Sequence, residues 1–118
     1  MNPIIERDEL KKLIDSKKII LIDVRRKNEL VHGVIPTSKN IPLTELEQAF
    51  ELDDNSFFQK YKFKKPTKKD HIVCYCRTGS RSHTASEILK QQRYKVQNYE
   101  GSIWDWSEID PNVKKYFN

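Results

Sequence analysis

Apolar residues along this chain fall into two patterns that predict different elements. Residues 19–24 and 71–75 are nearly continuous apolar runs rich in β-branched side chains, which is typical of strands buried on both faces of a parallel sheet. Residues 6–16 instead carry apolar side chains at helical spacing within a charged segment, which predicts an amphipathic helix. Shorter strands are predicted at 40–42 and 96–99, and a further helix is predicted at 82–92. Strands that alternate with helices indicate an α/β fold around a central, mostly parallel sheet.

Polar residues between the apolar runs predict where the remaining helices begin. Thr44 can cap a helix, and Glu47 three positions later would complete a capping box. Asp53 or Asp54 can begin another helix, because aspartate side chains accept the free N–H groups of a first turn. A last helix is predicted over residues 111–116.

The length and the cysteine content narrow the class of protein. The chain of 118 residues suffices for one domain. No apolar run approaches the ~18 residues that a membrane span needs, and the first residues are mixed in charge without an apolar signal core. Cys74 and Cys76 are separated by one residue, which is poor geometry for a disulfide. We therefore expect one domain over residues 1–118 in the reducing cytoplasm, with no membrane partner.

The chain carries a basic excess, with 22 Lys and Arg residues against 17 Asp and Glu residues and a formal net charge of +5. Six lysines are concentrated in one stretch: Lys60, Lys62, Lys64, Lys65, Lys68 and Lys69. Charge runs of this kind are usually solvated loops. No zinc spacing, RNP-like aromatic pattern or heptad-backed basic region accompanies them, so nucleic-acid binding is not expected. Attraction of small anions to a nearby site is the remaining alternative.

The segment from Cys76 to Ser82 carries the candidate chemistry, because it joins the end of a buried strand to the start of a helix. Ligand sites in open α/β sheets lie at that edge, and the N–H groups of a helix N-terminus favour anions. A cysteine in this place is expected to have a lowered pKa. Arg77 and Arg81 add two cations, and Gly79 lets the loop curl so that its N–H groups converge. The segment therefore predicts an anion cradle around a nucleophilic sulfur.

The length of this loop separates two chemistries. Tyrosine phosphatases place five residues between cysteine and arginine, whereas four separate Cys76 from Arg81. The phosphatase arginine would fall at Ser82, and Tyr75 stands where that family usually has histidine. A tighter loop suits a sulfur atom carried on the cysteine better than a bound phosphate. A cysteine-dependent phosphatase or arsenate reductase is therefore the less favoured alternative.

Four segments, in order, resemble the signatures of the rhodanese, or sulfurtransferase, family. The loop 76–81 resembles its active loop, and residues 21–25 resemble its first strand motif. Residues 29–43 and 98–106 resemble its second and its C-terminal signatures. Residues 37–38 are Thr-Ser, where the family usually has Gly-Ala, and Ser102 replaces a second glycine of the C-terminal signature. The resemblance covers nearly the whole chain and is closest to single-domain rhodaneses of the thiosulfate:glutathione sulfurtransferase type.

The resemblance implies a three-layer fold with a mostly parallel, five-stranded sheet flanked by helices. It also implies a monomeric thiosulfate sulfurtransferase, without cofactor or metal, in which the Cys76 thiolate takes the sulfane sulfur of thiosulfate as a persulfide. The acceptor would be glutathione, cyanide or a protein thiol. The remaining loop residues would bind the substrate, namely Arg77, Thr78, Gly79, Ser80 and Arg81. A persulfide carrier that serves one partner protein is the principal alternative.

Residues outside the loop have two interpretations each. Asp23 and Arg25 are expected to support the fold, as an ion pair or a loop brace, rather than to take part in catalysis. Trp104 and Trp106 are expected to be packing groups, with contact to the acceptor as the alternative. Cys74 is interpreted as a small core residue, with a resolving thiol as the alternative.

Overall fold

A computed structural model of the protein describes residues 1–117 and has an α/β architecture. The strands are β1 (Ile20–Asp23), β2 (Lys39–Asn40), β3 (His71–Tyr75) and β4 (Lys95–Asn98). They are parallel and lie in the order β2–β1–β3–β4. The helices are α1 (Arg7–Asp15), α2 (Leu43–Ala49), α3 (Asp54–Tyr61), α4 (Ser80–Gln91) and α5 (Ser102–Trp106), with a 3₁₀ helix at Lys27–His32. Within residues 1–117, no helix has the length and apolar character that crossing a membrane requires.

The two central strands are buried on both faces, as the apolar runs predict. Ile22 and Cys74 belong to a core shared with α2, α3 and α4. Leu21 and Val73, their neighbours along the strands, belong to a second core shared with α1, α5 and the C-terminal segment. Successive side chains of a strand point to opposite faces, so each central strand contributes to both cores. Helices therefore cover both faces of the sheet, and the predicted three-layer fold is confirmed.

The prediction of five strands is wrong, because the sheet has four strands within residues 1–117. The position beside β4 holds only an isolated parallel bridge between Ile4 and Asn98. Asn98 donates its N–H to the Pro3 carbonyl at 2.8 Å and accepts the N–H of Ile5 at 3.1 Å. Pro3 has no N–H with which to continue the pairing, so this segment stops short of a fifth strand.

The predicted capping box of Thr44 and Glu47 is also wrong. The helix α2 begins at Leu43, directly after Pro42, and no side chain caps it. Leu43 donates its N–H to the Val24 carbonyl at 3.0 Å, so its attachment to the chain after β1 fixes where the helix begins. The N-cap prediction for α3 is confirmed, since the Asp53 carboxylate accepts the Ser56 N–H at 2.8 Å.

The predicted helix over residues 111–116 does not form. The segment makes a turn and then continues without regular secondary structure. Val113 and Tyr116 are buried in the second core, and Lys114 donates its N–H to the His32 carbonyl at 3.0 Å. Tertiary packing against the 3₁₀ helix therefore overrides the local helical pattern.

The lysine-rich stretch 60–69 begins in α3 and continues as the loop that leads into β3. Lys65 donates to the Leu52 carbonyl at 2.7 Å, so the ammonium group of this lysine is held in place by a main-chain acceptor. The stretch enters the sheet at the N-terminal end of β3, whereas Cys76 follows the C-terminal end. The end of the lysine-rich stretch and Cys76 therefore lie at opposite ends of β3.

Candidate active site

Cys76 lies directly after β3, and a short loop returns the chain to the start of α4. The Cys76 Sγ accepts the N–H groups of Gly79 at 3.1 Å and Ser82 at 3.4 Å. The Ser82 hydroxyl lies 3.5 Å from the same sulfur and 3.1 Å from the Gly79 carbonyl, and it can donate to either. The sulfur therefore lies at the N-terminus of a 12-residue helix, where the partial positive charge favours an anion. Ser82 is a site residue that was predicted only as a helix start.

The two cysteines differ in how readily they ionise. Burial by itself raises the pKa of Cys76, but hydrogen bonds from the Ser82 hydroxyl and from loop N–H groups outweigh it and bring this pKa below its ordinary value. Cys74 lies two residues earlier within β3, where burial raises its pKa to about 12. The thiolate is therefore favoured at Cys76, whereas Cys74 is a protonated core residue, which argues against the resolving-thiol alternative.

Position 79 accepts only glycine in this loop conformation. The φ of Gly79 is 104°, a value that L side chains rarely adopt, and a Cβ there would lie 2.4 Å from the Glu100 carbonyl oxygen. Asn98 supports the same turn by donating to the Gly79 carbonyl at 3.4 Å. The curl that brings the loop N–H groups onto the sulfur therefore depends on glycine, as the sequence predicts.

Ser102, at the start of α5, holds the loop from the other side and is not among the predicted site residues. Its Oγ accepts the Cys76 N–H at 3.1 Å, and its hydroxyl donates to the Tyr99 carbonyl at 2.8 Å. Ser102 has a φ of 55° and Thr37 a φ of 72°, both in the left-handed region that favours glycine. Both residues fall in segments that depart from the family signatures, and the backbone conformation explains why glycine is usual there.

Arg77 lies against the C-terminal segment and α5. Its Nη1 donates to the Tyr116 carbonyl at 3.1 Å, and its Cζ lies 5.8 Å from the centroid of the Tyr116 ring. The Trp104 ring lies 5.9 Å from the same Cζ. Trp106, by contrast, is buried in the second core and donates to Asp110 at 3.0 Å. Of the two tryptophans, Trp104 is therefore the one beside a predicted substrate-binding residue.

Arg81 forms a two-pronged ion pair with Glu29, at N–O distances of 2.6 and 2.9 Å. Glu29 lies in the 3₁₀ helix and is only 3% exposed, and no role was predicted for it although it opens the second family signature. Burial by itself raises the pKa of Glu29, but hydrogen bonds from Arg81 and the Tyr116 hydroxyl bring it down to about 2. The carboxylate is therefore ionised at neutral pH and shares the Arg81 charge.

Asp23 and Arg25 form a fully buried ion pair, with Arg25 Nη2 2.7 Å from the Asp23 carboxylate. Burial by itself lowers the pKa of Arg25, but the Asp23 carboxylate raises it well above its ordinary value. Arg25 also donates to the Gly33 carbonyl at 2.8 Å and to the Tyr116 hydroxyl at 3.1 Å. The pair therefore joins the end of β1 to two other segments, which supports the predicted bracing role.

Of the two other predicted loop residues, Thr78 contributes through the main chain, whereas Ser80 makes no hydrogen bond to the sulfur in the described structure. Thr78 and Ser80 have exposed side chains, and the Thr78 N–H is one of the groups that lower the pKa of Cys76. Within residues 1–117 there is no group of three or more His, Cys, Asp and Glu side chains that could hold a metal ion. The side-chain groups that contact the Cys76 sulfur as hydrogen-bond partners within the described residues are the hydroxyls of Ser82, at 3.5 Å, and Ser102, at 4.0 Å.

Ser82→Ala is expected to slow the alkylation of Cys76 by iodoacetamide about tenfold at neutral pH, because the thiolate loses one hydrogen bond. That bond lowers the pKa of Cys76, so its loss raises this pKa and moves the rising limb of the rate–pH profile to higher pH. The two proteins should converge at alkaline pH, where both thiols are ionised. The measurement is the second-order alkylation rate against pH.

Ser86→Ala is the matched control for this prediction. Ser86 is a buried serine one turn farther along α4, and its hydroxyl donates to the Ser82 carbonyl at 2.8 Å. Its replacement should leave the rising limb where it is in the wild type. An unshifted limb in Ser82→Ala would show that the Ser82 hydroxyl does not stabilise the thiolate.

Comparison with known proteins identifies similar chains along nearly the whole length. The profile of the Rhodanese-like domain family matches residues 6–109. A rhodanese domain-containing protein of Drosophila melanogaster is 43% identical over 103 residues, covering 86% of this chain and 93% of the relative. Thiosulfate:glutathione sulfurtransferase of Homo sapiens is 34% identical over 108 residues, covering 90% and 94%. The solved structure of the human single-domain sulfurtransferase TSTD1 superposes with a TM-score of 0.90 at 32% identity, covering 93% of this chain and 99% of that one.

Proposed function

The chain belongs to the rhodanese-like domain family, and we propose that it is a thiosulfate sulfurtransferase that carries sulfane sulfur as a persulfide on Cys76. The observation that carries this proposal is the environment of the Cys76 sulfur, which accepts the N–H groups of Gly79 and Ser82 at the start of α4. A persulfide formed there ends in an anionic sulfur, which the same donors and the helix terminus favour. The name of the similar human protein, thiosulfate:glutathione sulfurtransferase, supports both the donor and a thiol acceptor.

In the first half-reaction, the Cys76 thiolate attacks the outer, sulfane sulfur of thiosulfate. A sulfur–sulfur bond forms to Cys76, and the bond between the sulfane sulfur and the sulfonate sulfur breaks. Sulfite leaves as a dianion with the electron pair of that bond, and the sulfane sulfur keeps its negative charge as the terminal sulfur of the persulfide. The hydrogen bonds that lower the pKa of Cys76 favour the attacking thiolate, so the step as proposed uses no general base.

In the second half-reaction, an acceptor thiolate attacks the terminal sulfur of the Cys76 persulfide. The acceptor leaves as a persulfide, and the bond electrons return to Cys76 as a thiolate. The loop N–H groups then stabilise this thiolate as the leaving group, as they stabilise it in the resting enzyme. Glutathione and protein thiols meet the chemical requirement of this step, and cyanide meets it as a carbon nucleophile that would leave as thiocyanate.

Arg77 and Arg81 are the cations available to the sulfonate oxygens of thiosulfate, because charged hydrogen bonds to guanidinium groups are strong. Each already has a protein acceptor: the Tyr116 carbonyl for Arg77 and the Glu29 carboxylate for Arg81. A neutral carbonyl competes less strongly with a dianion than a carboxylate does. We therefore assign the main donor contact to Arg77, with Arg81 adding charge beside the loop.

Initial rates of sulfite release from thiosulfate test this function, with glutathione, cyanide and a reduced protein dithiol as acceptors. We expect steady turnover with at least one small acceptor, at a rate that depends on the concentration of both substrates. A single stoichiometric burst of sulfite, without turnover on small acceptors, would instead favour a persulfide carrier that serves a partner protein.

The same preparation should be assayed for hydrolysis of an aryl phosphate. We expect no hydrolysis that depends on Cys76, because the loop holds one residue fewer than a phosphatase loop. Cys76-dependent phosphate release, together with neither a burst nor turnover of thiosulfate, would contradict the proposed function and support the phosphatase alternative.

A further inference from the structure

We propose that Tyr116 positions both of the arginines that hold the sulfur donor, and thereby sets the affinity of the site for anionic donors. Tyr116 lies in the C-terminal segment, outside every helix and strand, yet it contacts Arg77 directly and reaches Arg81 through Glu29. This inference rests on the proposed function, because it assigns both arginines to an anionic donor.

Tyr116 is itself held firmly by groups outside the loop. Its ring stacks on His32, with centroids 4.0 Å apart and planes 11° apart. Its hydroxyl donates to Glu29 at 2.7 Å and accepts from Arg25 at 3.1 Å. Burial raises the pKa of Tyr116, so the hydroxyl remains a neutral donor. These contacts therefore hold the Tyr116 side chain in one position.

The fixed tyrosine presents two groups to Arg77. Its carbonyl accepts Arg77 Nη1 at 3.1 Å, and its ring lies 5.8 Å from the guanidinium carbon. The Trp104 ring adds a second aromatic contact at 5.9 Å. These contacts restrict the rotamers of a long side chain, so less side-chain entropy is lost when an anion binds to it.

The same tyrosine acts on Arg81 through the Glu29 carboxylate. The Tyr116 hydroxyl and Arg81 Nη2 both donate to Glu29 Oε2, at 2.7 and 2.9 Å. The neutral Tyr116 hydroxyl satisfies part of the charge on this oxygen, which weakens the attraction between the Glu29 carboxylate and Arg81. Without the hydroxyl, Glu29 would bind Arg81 more strongly, and the Arg81 guanidinium would attract thiosulfate less.

Tyr116→Phe and Tyr116→Leu separate the two contacts in steady-state kinetics. The phenylalanine variant keeps the ring beside Arg77 and loses only the hydroxyl, so we expect the KM for thiosulfate to rise about threefold. The leucine variant also loses the ring, and we expect a rise of about tenfold. The kcat should change by less than about twofold in both, because the loop donors to the Cys76 sulfur remain in place.

Tyr94→Phe is the matched control. Tyr94 packs against Phe50 in the other core, on the opposite face of the sheet, so the KM for thiosulfate should equal that of the wild type. A fall in kcat with an unchanged KM in the Tyr116 variants would contradict the proposal, because a general loss of structure, rather than of donor binding, would then explain the result.

Alkylation of Cys76 gives a readout that does not depend on sulfur transfer. Iodoacetate is an anion and iodoacetamide is neutral and of similar size, so the ratio of their rates measures the attraction of anions by Arg77 and Arg81. We expect this ratio to fall about fivefold in Tyr116→Leu, with the iodoacetamide rate unchanged. Equal slowing of both reagents, or a ratio equal to that of the wild type, would overturn the proposal. If the wild type shows no turnover of thiosulfate but the ratio still falls, the proposed function fails while the positioning role of Tyr116 stands.

Discussion

Cys76→Ala is expected to lose thiosulfate-dependent sulfite release by at least about a thousandfold in kcat/KM. The sulfur of Cys76 is the atom on which the loop N–H groups converge. Alanine keeps those N–H groups but has no sulfur to attack thiosulfate. Sulfite release at initial rate, with glutathione as acceptor, measures the effect.

Cys74→Ala is the matched control for this loss. Cys74 is a fully buried thiol in β3 whose pKa burial raises to about 12, so it supplies no thiolate at neutral pH. The variant should retain turnover close to that of the wild type. Activity that survives in Cys76→Ala and disappears in Cys74→Ala would reverse the assignment of the nucleophile.

Asp23→Asn is expected to lower the free energy of unfolding by about 3–5 kcal/mol, as breaking a buried ion pair usually does. Arg25 is completely buried, and the Asp23 carboxylate is its anionic partner at 2.7 Å. The amide would leave this guanidinium charge uncompensated in the core. Urea unfolding followed by circular dichroism gives the change.

Asp15→Asn tests whether the loss belongs to burial rather than to the removal of any carboxylate. Asp15 pairs with Lys11 at 3.0 Å on α1, and both side chains are more than half exposed. Water and salt screen such a pair, so the urea midpoint should stay close to that of the wild type. A wild-type midpoint in Asp23→Asn would contradict the bracing role of the buried pair.

The central strands and the active loop could be predicted because the information that specifies them is local. Continuous apolar runs distinguish β1 and β3 from half-exposed strands, and the position of Cys76 between a strand and a helix predicts its environment. The positive φ of Gly79 follows from the need to turn within so short a loop. These features require only neighbours in sequence.

The partners of the arginines could not be predicted, because they are distant in sequence. Arg81 meets a carboxylate 52 residues away, and the Tyr116 hydroxyl meets the same group 87 residues away. Tyr116 was predicted as the end of a helix, whereas its ring packs against His32 and the segment has no regular secondary structure there. Tertiary contacts of this kind override local propensity.

The mass of the protein after incubation with thiosulfate, in the absence of an acceptor, shows whether Cys76 takes up the sulfane sulfur. We predict an increase of about 32 Da, one sulfur atom, that Cys74→Ala retains, that Cys76→Ala loses, and that subsequent addition of glutathione or cyanide removes. A wild-type protein of unchanged mass, or one that carries the added sulfur on Cys74, would show that Cys76 does not form the persulfide.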